Sequence, residues 1–183
     1  YVDVILMGEA DETANRALDI VFGCRTKDEA RREIARLIPS AFVPAIHGSM
    51  MPPVEKAPDE LLPAHSQIVT PHTELRSMFL VEPERGCHRG CTYCVMRRST
   101  NDGMRTVPME TVLSLIPEHA KRVGLVGAAT TDHPQIAEIV ERIADSGREV
   151  GLSSLRADRL NPRFMAALRR GGQTALTTAS DGP

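Results

Sequence analysis

Three of the four cysteines in the sequence, Cys87, Cys91 and Cys94, stand within eight positions in the stretch ERGCHRGCTYCVMRR. A C-x3-C-x2-C triplet on a chain with no visible export signal points to a reducing compartment, where thiols bind metal rather than pair. A structural zinc site takes four ligands, commonly as two pairs a dozen or more residues apart. Here there is one triplet; His88 adjoins Cys87 too closely to reach the same ion easily, and Cys24 is remote. A 4Fe–4S cluster held by three thiolates fits better. Its fourth iron then keeps an open position, and an open position on a metal belongs to chemistry rather than to structure. Gly86 and Gly90 let the backbone approach the sulfurs, and Arg85 and Arg89 are either offsets to the cluster's negative charge or ordinary loop charges.

Composition narrows the alternatives. With 183 residues the chain has room for one ordinary domain, or for one domain and part of another. Hydrophobic residues make up 42% but aromatic residues only 3%, so the core is built from aliphatic side chains, Ala and Met. The net charge is −2 with both signs interspersed, which gives no broad nucleic-acid footprint. The doublets Arg31–Arg32, Arg97–Arg98 and Arg169–Arg170 are isolated and read as solvated helix faces. No apolar run approaches the roughly 20 residues of a membrane span. The compartment expected is the cytoplasm. Both ends read as cuts through a longer protein, since the chain opens inside the apolar run YVDVILMG and stops just after another.

The elements that must position the cysteines follow from periodicity. VDVILMG reads as a buried strand, residues 9–22 as a helix with Ala14, Ala17, Leu18, Val21 and Phe22 at helical spacing, and Thr26 with Glu29 as a capping box opening a second helix. Ala30, Ile34, Leu37 and Ile38 share one face of that second helix. Seven of the 13 prolines (Pro39, Pro44, Pro52, Pro53, Pro58, Pro63 and Pro71) then erase any regular pattern, which predicts an extended connection with at most a short strand at AFVPAI. From residue 78 strands and helices alternate. MFLVE, RVGLVGAA, REVGLSSL and TALTTAS read as strands; a helix from Pro108 toward Ala120, HPQIAEIVERIADSG and NPRFMAALRRGG read as the helices between them. Such alternation implies βαβ units and a parallel sheet or barrel, with active-site residues at the carboxyl ends of the strands. The cysteine loop follows the first of those strands.

GCHRGCTYC, with the aromatic Tyr93 before the last cysteine, resembles the C-x3-C-x2-C motif of the radical S-adenosylmethionine (SAM) superfamily. MFLVEPERGC, VGLVGAATTDHP and SSLRADRLNP are similar to the subgroup in which a cobalamin-binding-type domain precedes the barrel. The resemblance implies an α/β chain: the tail of a Rossmann-like domain over 1–38, a Pro-rich linker over 39–74, and the first four β/α units of a radical SAM barrel over 75–183. It further implies cluster ligation by Cys87, Cys91 and Cys94, SAM chelated at the open iron, and reductive cleavage to a 5′-deoxyadenosyl radical. A one-electron reductant such as flavodoxin or ferredoxin is the partner it brings with it. Cobalamin is possible but not inferable, because the usual ligand-bearing loop would precede Tyr1.

Other site residues transfer unevenly. Where many family members have a Gly-Gly-Glu-like turn facing the SAM amino group, this sequence has Gly127-Ala128-Ala129-Thr130, which leaves backbone carbonyls and Thr130. Ser153 and either Ser154 or Leu155 lie at the mouth of the third strand; alternation puts Ser153 and Leu155 on one face. Arg156 either pairs with the SAM carboxylate, or bonds Asp158 or caps the sheet. Asp132 and His133 read as helix caps before an acid–base pair. His47, His65 and His72 have no partners at ligand spacing, and the eight methionines read as packing. No catalytic side chain is assigned, and the substrate is not legible. A methylthiotransferase-like enzyme would need a second cysteine set beyond Cys24, and a non-catalytic iron–sulfur electron carrier would ordinarily use four cysteines.

Overall fold

The computed structural model describes residues 2–96, 103–153 and 155–178. These fall into two compact units, 1–61 with 89–103, and 62–88 with 104–183.

In the first unit, β1 (Ile5–Leu6) pairs antiparallel with β2 (Ala41–Phe42), which is the short strand expected at AFVPAI. Helices α1 (Thr13–Gly23) and α2 (Lys27–Leu37) stand between them in sequence. Half of the capping box forms: Thr26 Oγ1 accepts from the Glu29 amide at 3.2 Å, while the Glu29 carboxylate accepts from the amide of Arg25, one residue before the N-cap, at 3.0 Å. Ile34 and Ile38 of the α2 face are buried with Ala41 and Val43, and Ala17 and Ile20 of α1 pack on them. Helix α1 therefore turns Ile20 inward and leaves Leu18, Val21 and Phe22 exposed, where helical spacing alone puts all three on the core stripe. Beyond β2, the proline-rich segment carries α3 (Pro44–His47), a 3₁₀ turn over Asp59–Leu61 and two isolated bridges, Glu55 to Gly8 and His65 to Val81.

The second unit is built on a parallel sheet, as the alternation predicts. Strands β3 (Met78–Val81), β6 (Arg122–Leu125) and β7 (Glu149–Leu152) lie in the order β3-β6-β7, with Val81, Leu125 and Leu152 in register at their carboxyl ends. Parallel neighbours need crossovers. These carry α4 (Met109–Ser114) and α5 (Ile136–Asp145), and α6 (Pro162–Arg170) follows β7. Alternation along β3 sends Phe79 and Val81 into the core with Val123, Leu125 and Val150. Val112, Ile139, Val140, Ile143, Phe164 and Leu168 complete that core from the helices. At about 1.5–3 kcal/mol for each large aliphatic or aromatic side chain removed from water, this layer is the main source of the unit's stability.

Helix ends follow their caps. Asn161 accepts from the Phe164 amide at 2.9 Å with Pro162 in the first turn, as expected. Helix α4 stops at Ser114 rather than near Ala120, because Pro117 has no amide to donate and the chain leaves in turns closed by Ile116→Leu113 and Ala120→Pro117 bonds. Of the expected fourth strand, the described residues show one bridge, Leu155 to Thr178. Among the arginine doublets, Arg31 pairs with Asp3 and Asp28, and Arg170 with Asp145. Arg97–Arg98 lies outside the described residues, as do Ser154 and the end of TALTTAS. No described helix is long and apolar enough to cross a membrane.

Candidate cofactor site

The cysteine loop leaves the second unit from a small ribbon rather than directly from the sheet. β4 (Glu84–Gly86) pairs antiparallel with β5 (Met104–Thr106), Gly86 opposite Met104, so the ribbon grips the loop at both ends. Gly86 takes φ +91°, a left-handed conformation that side chains resist, immediately before Cys87. Arg85 is held bidentately by Glu82, at 2.8–3.1 Å, with both side chains largely buried.

Cys87, Cys91 and Cys94 are free thiols, each partly exposed, and the Cys94 amide donates to the Cys91 carbonyl at 3.2 Å in a tight turn. Among the described residues no group of three His, Cys, Asp or Glu side chains stands ready to hold a metal ion. The donor set itself fits a three-cysteine cluster: three unpaired, accessible thiols on one short loop, none tied into a disulfide. Tyr93 is exposed, in the turn between Cys91 and Cys94. Cys24, by contrast, has its thiol pushed up by burial and then by Glu29 and Glu33, away from thiolate character.

At the carboxyl end of β6 the turn 127–130 is fastened from two sides. Ser153, just past β7, accepts from the Gly127 amide at 3.1 Å and donates to the Gly127 carbonyl at 3.2 Å. The Ala129 amide donates to Glu84 Oε1 at 2.8 Å. Ala128 between them is exposed, while Ala129 and Thr130 are buried. Glu84 is fully buried and its Oε2 has no partner among the described residues; the Thr130 hydroxyl is likewise buried without one there. Burial, opposed by the Ala129 hydrogen bond and reinforced by Glu82 and Asp132, pushes the Glu84 carboxyl up to about 7. Gly127 is required at its position: a Cβ there would overlap Glu84 Oε1 and stand 2.9 Å from its Cδ and 3.1 Å from its carbonyl oxygen.

The sequence did not single out Glu84. It has no periodicity and sits among ordinary loop charges, and only its burial against the β6 turn distinguishes it.

Asp132 and His133 resolve toward structure. His133 is buried; its Nδ1 accepts from the Gln135 amide at 3.0 Å and its Nε2 donates to the Val107 carbonyl at 2.9 Å. The helix-entry role expected of this pair thus falls to His133. Asp132 instead binds Arg156, and Arg159 at 3.2 Å, with His88 Nε2 at 3.9 Å. Arg156 also binds Asp158, and its amide donates to Thr131 Oγ1 at 3.2 Å. Its guanidinium is therefore shared between two carboxylates, one buried and one exposed. The parallel-strand ends thus gather Glu84, Gly127, Ala129, Ser153 and Arg156 on one side of the sheet.

A family model for the radical SAM superfamily matches residues 81–182, more than half of the sequence and inclusive of all three clustered cysteines. The chain belongs to the radical SAM superfamily. It is also similar to an uncharacterized protein of Methanocaldococcus jannaschii, with 32% identity over 96 residues, half of this chain. The chain spans only 21% of that relative's length.

Proposed function

We propose that this protein is a radical SAM enzyme in which Cys87, Cys91 and Cys94 hold a 4Fe–4S cluster and the carboxyl ends of β6 and β7 hold SAM. The observation that carries the reading is the three free, accessible cysteines on a loop following a parallel strand, inside the span that matches the superfamily. When bound, the reduced cluster and SAM supply homolytic C–S cleavage and hydrogen-atom abstraction, and the protein supplies position and exclusion of water. The exposed part of the 127–130 turn offers backbone carbonyls to the SAM amino group, with Thr130 beside them. Ser153 holds that turn by its two bonds to Gly127. Arg156 reaches the SAM carboxylate by exchanging the exposed Asp158 for it while keeping the buried Asp132. Tyr93 borders the cluster from within the cysteine turn.

The larger architecture belongs to the same proposal. Residues 75–183 form the first four units of a barrel, residues 39–74 the connection, and residues 1–38 the tail of a Rossmann-like domain of the cobalamin-binding type. The enzyme works in the cytoplasm and takes electrons singly from a carrier of the flavodoxin or ferredoxin kind. The test is product analysis. Anaerobically reconstituted protein, given dithionite and SAM, should release 5′-deoxyadenosine and methionine in equal amounts, and Cys87→Ala should release neither. Cluster-loaded protein from the full-length gene that releases no 5′-deoxyadenosine would overturn the reading.

A further inference from the structure

The peptide joining Ala128 to Ala129 is held from its buried side. Its N–H points at Glu84 Oε1, 2.8 Å away inside the unit, and Glu84 has no exposed surface. In a trans peptide the carbonyl points opposite to the amide hydrogen. Fixing the Ala129 N–H inward therefore fixes the Ala128 carbonyl outward, at the one exposed residue of this turn. Gly127 makes the grip tight, since a side chain at that position would displace the carboxyl from where it stands. The remaining Glu84 oxygen has no partner among the described residues. Burying this carboxyl with one oxygen unpartnered is costly, and the one described hydrogen bond to its side chain comes from the Ala129 amide. The charged groups around it are Glu82, held by Arg85, and Asp132, held by Arg156 and Arg159 and facing His88.

We propose that Glu84 is a positioning residue for SAM recognition: by accepting the Ala129 N–H it aims the Ala128 carbonyl at the amino group of SAM. This rests on the reading that the 127–130 turn faces SAM. It goes further in naming the carbonyl that receives the amino N–H and the buried side chain that orients it.

The experiment compares reconstituted wild-type protein with Glu84→Gln, which keeps the acceptor, and Glu84→Met, which keeps the volume without it. Affinity is measured by calorimetry for SAM and for the analogue with hydrogen in place of the α-amino group, with iron content and circular dichroism read on each sample. Wild type and Glu84→Gln should prefer SAM by similar factors, within about threefold of each other. Glu84→Met should lose up to about tenfold of that preference with its cluster intact, the size expected for one hydrogen bond. A variant damaged only in its fold would weaken both ligands alike. Glu84→Asp, which withdraws the acceptor by one methylene, serves in place of Glu84→Met if that variant does not fold, and should lose the preference similarly. If wild type binds SAM and the acceptor-deficient variant discriminates as well as wild type, the inference about Glu84 is wrong and the SAM reading stands. If cluster-loaded wild type binds neither compound, the SAM reading fails and takes the inference with it.

Discussion

Gly127→Ala tests the packing logic of the site most sharply. The added methyl would overlap Glu84 Oε1, lie 2.9 Å from Cδ and stand 3.1 Å from the Glu84 backbone oxygen. Inserting a methyl into a filled space costs about 1–3 kcal/mol. Here Glu84 must also move, which releases the Ala129 amide into a buried position, a further cost of about 1–3 kcal/mol. Part of each cost relaxes away, so the expected destabilisation is roughly 2–4 kcal/mol, with an unchanged denaturant slope. The diagnostic measurement is the double-mutant cycle with Glu84→Ala, followed by urea denaturation and far-ultraviolet circular dichroism. Without the Glu84 carboxyl only the backbone oxygen remains near the new methyl. Gly127→Ala should then cost under about 1 kcal/mol, a coupling of at least about 1 kcal/mol between the two sites. Additive effects, or a Gly127→Ala variant as stable as wild type, would refute the claim that Gly127 and Glu84 are a matched pair.

Other expectations concern charge and core. Glu84 holds its proton up to about pH 7 when folded and releases it near 4.5 when unfolded. The associated stability is complete below 4.5 and is lost as pH rises through about 7, a swing of roughly 2 kcal/mol after solvent screening. Glu84→Gln should flatten stability against pH across that window; an unchanged profile would show that Glu84 does not cause it. Arg156→Met removes one of the described guanidinium partners of the buried Asp132 carboxylate and leaves Arg159 beside it. It should destabilise the protein by about 1–2 kcal/mol, less than the loss of a wholly buried pair because Arg156 is itself partly solvated. Phe164→Ala removes a side chain that is 1% exposed and should cost about 3–5 kcal/mol by the same denaturation measurement.

What could be read from the sequence was what periodicity and spacing encode. The short apolar run at Met78–Val81, the apolar stripe of Ile136–Asp145 and the Asn161–Pro162 cap announced themselves because each depends on near neighbours. So did the parallel sheet, which follows from the alternation of elements, and the superfamily itself, whose motif lies in the spacing of Cys87, Cys91 and Cys94. Glu84 was missed because its chemistry is made by residues 43 and 45 positions away, Gly127 and Ala129. Arg156 was left between two roles for the same reason: Asp158 is a local partner, whereas Asp132 arrives from another loop. Helix α1 turned differently from its pattern because tertiary packing favoured Ile20 over the neighbouring apolar residues. Long-range burial, not local pattern, made each of these differences.

The central claim is that the three cysteines hold a cluster whose open iron is reached by SAM. Electron paramagnetic resonance of the dithionite-reduced, reconstituted full-length protein, recorded with and without SAM and beside a Cys91→Ala control, addresses it directly. A [4Fe–4S]⁺ signal that shifts on adding SAM and is absent from the control is the expected result. A cluster signal identical with and without SAM, or one that survives loss of Cys91, would contradict it.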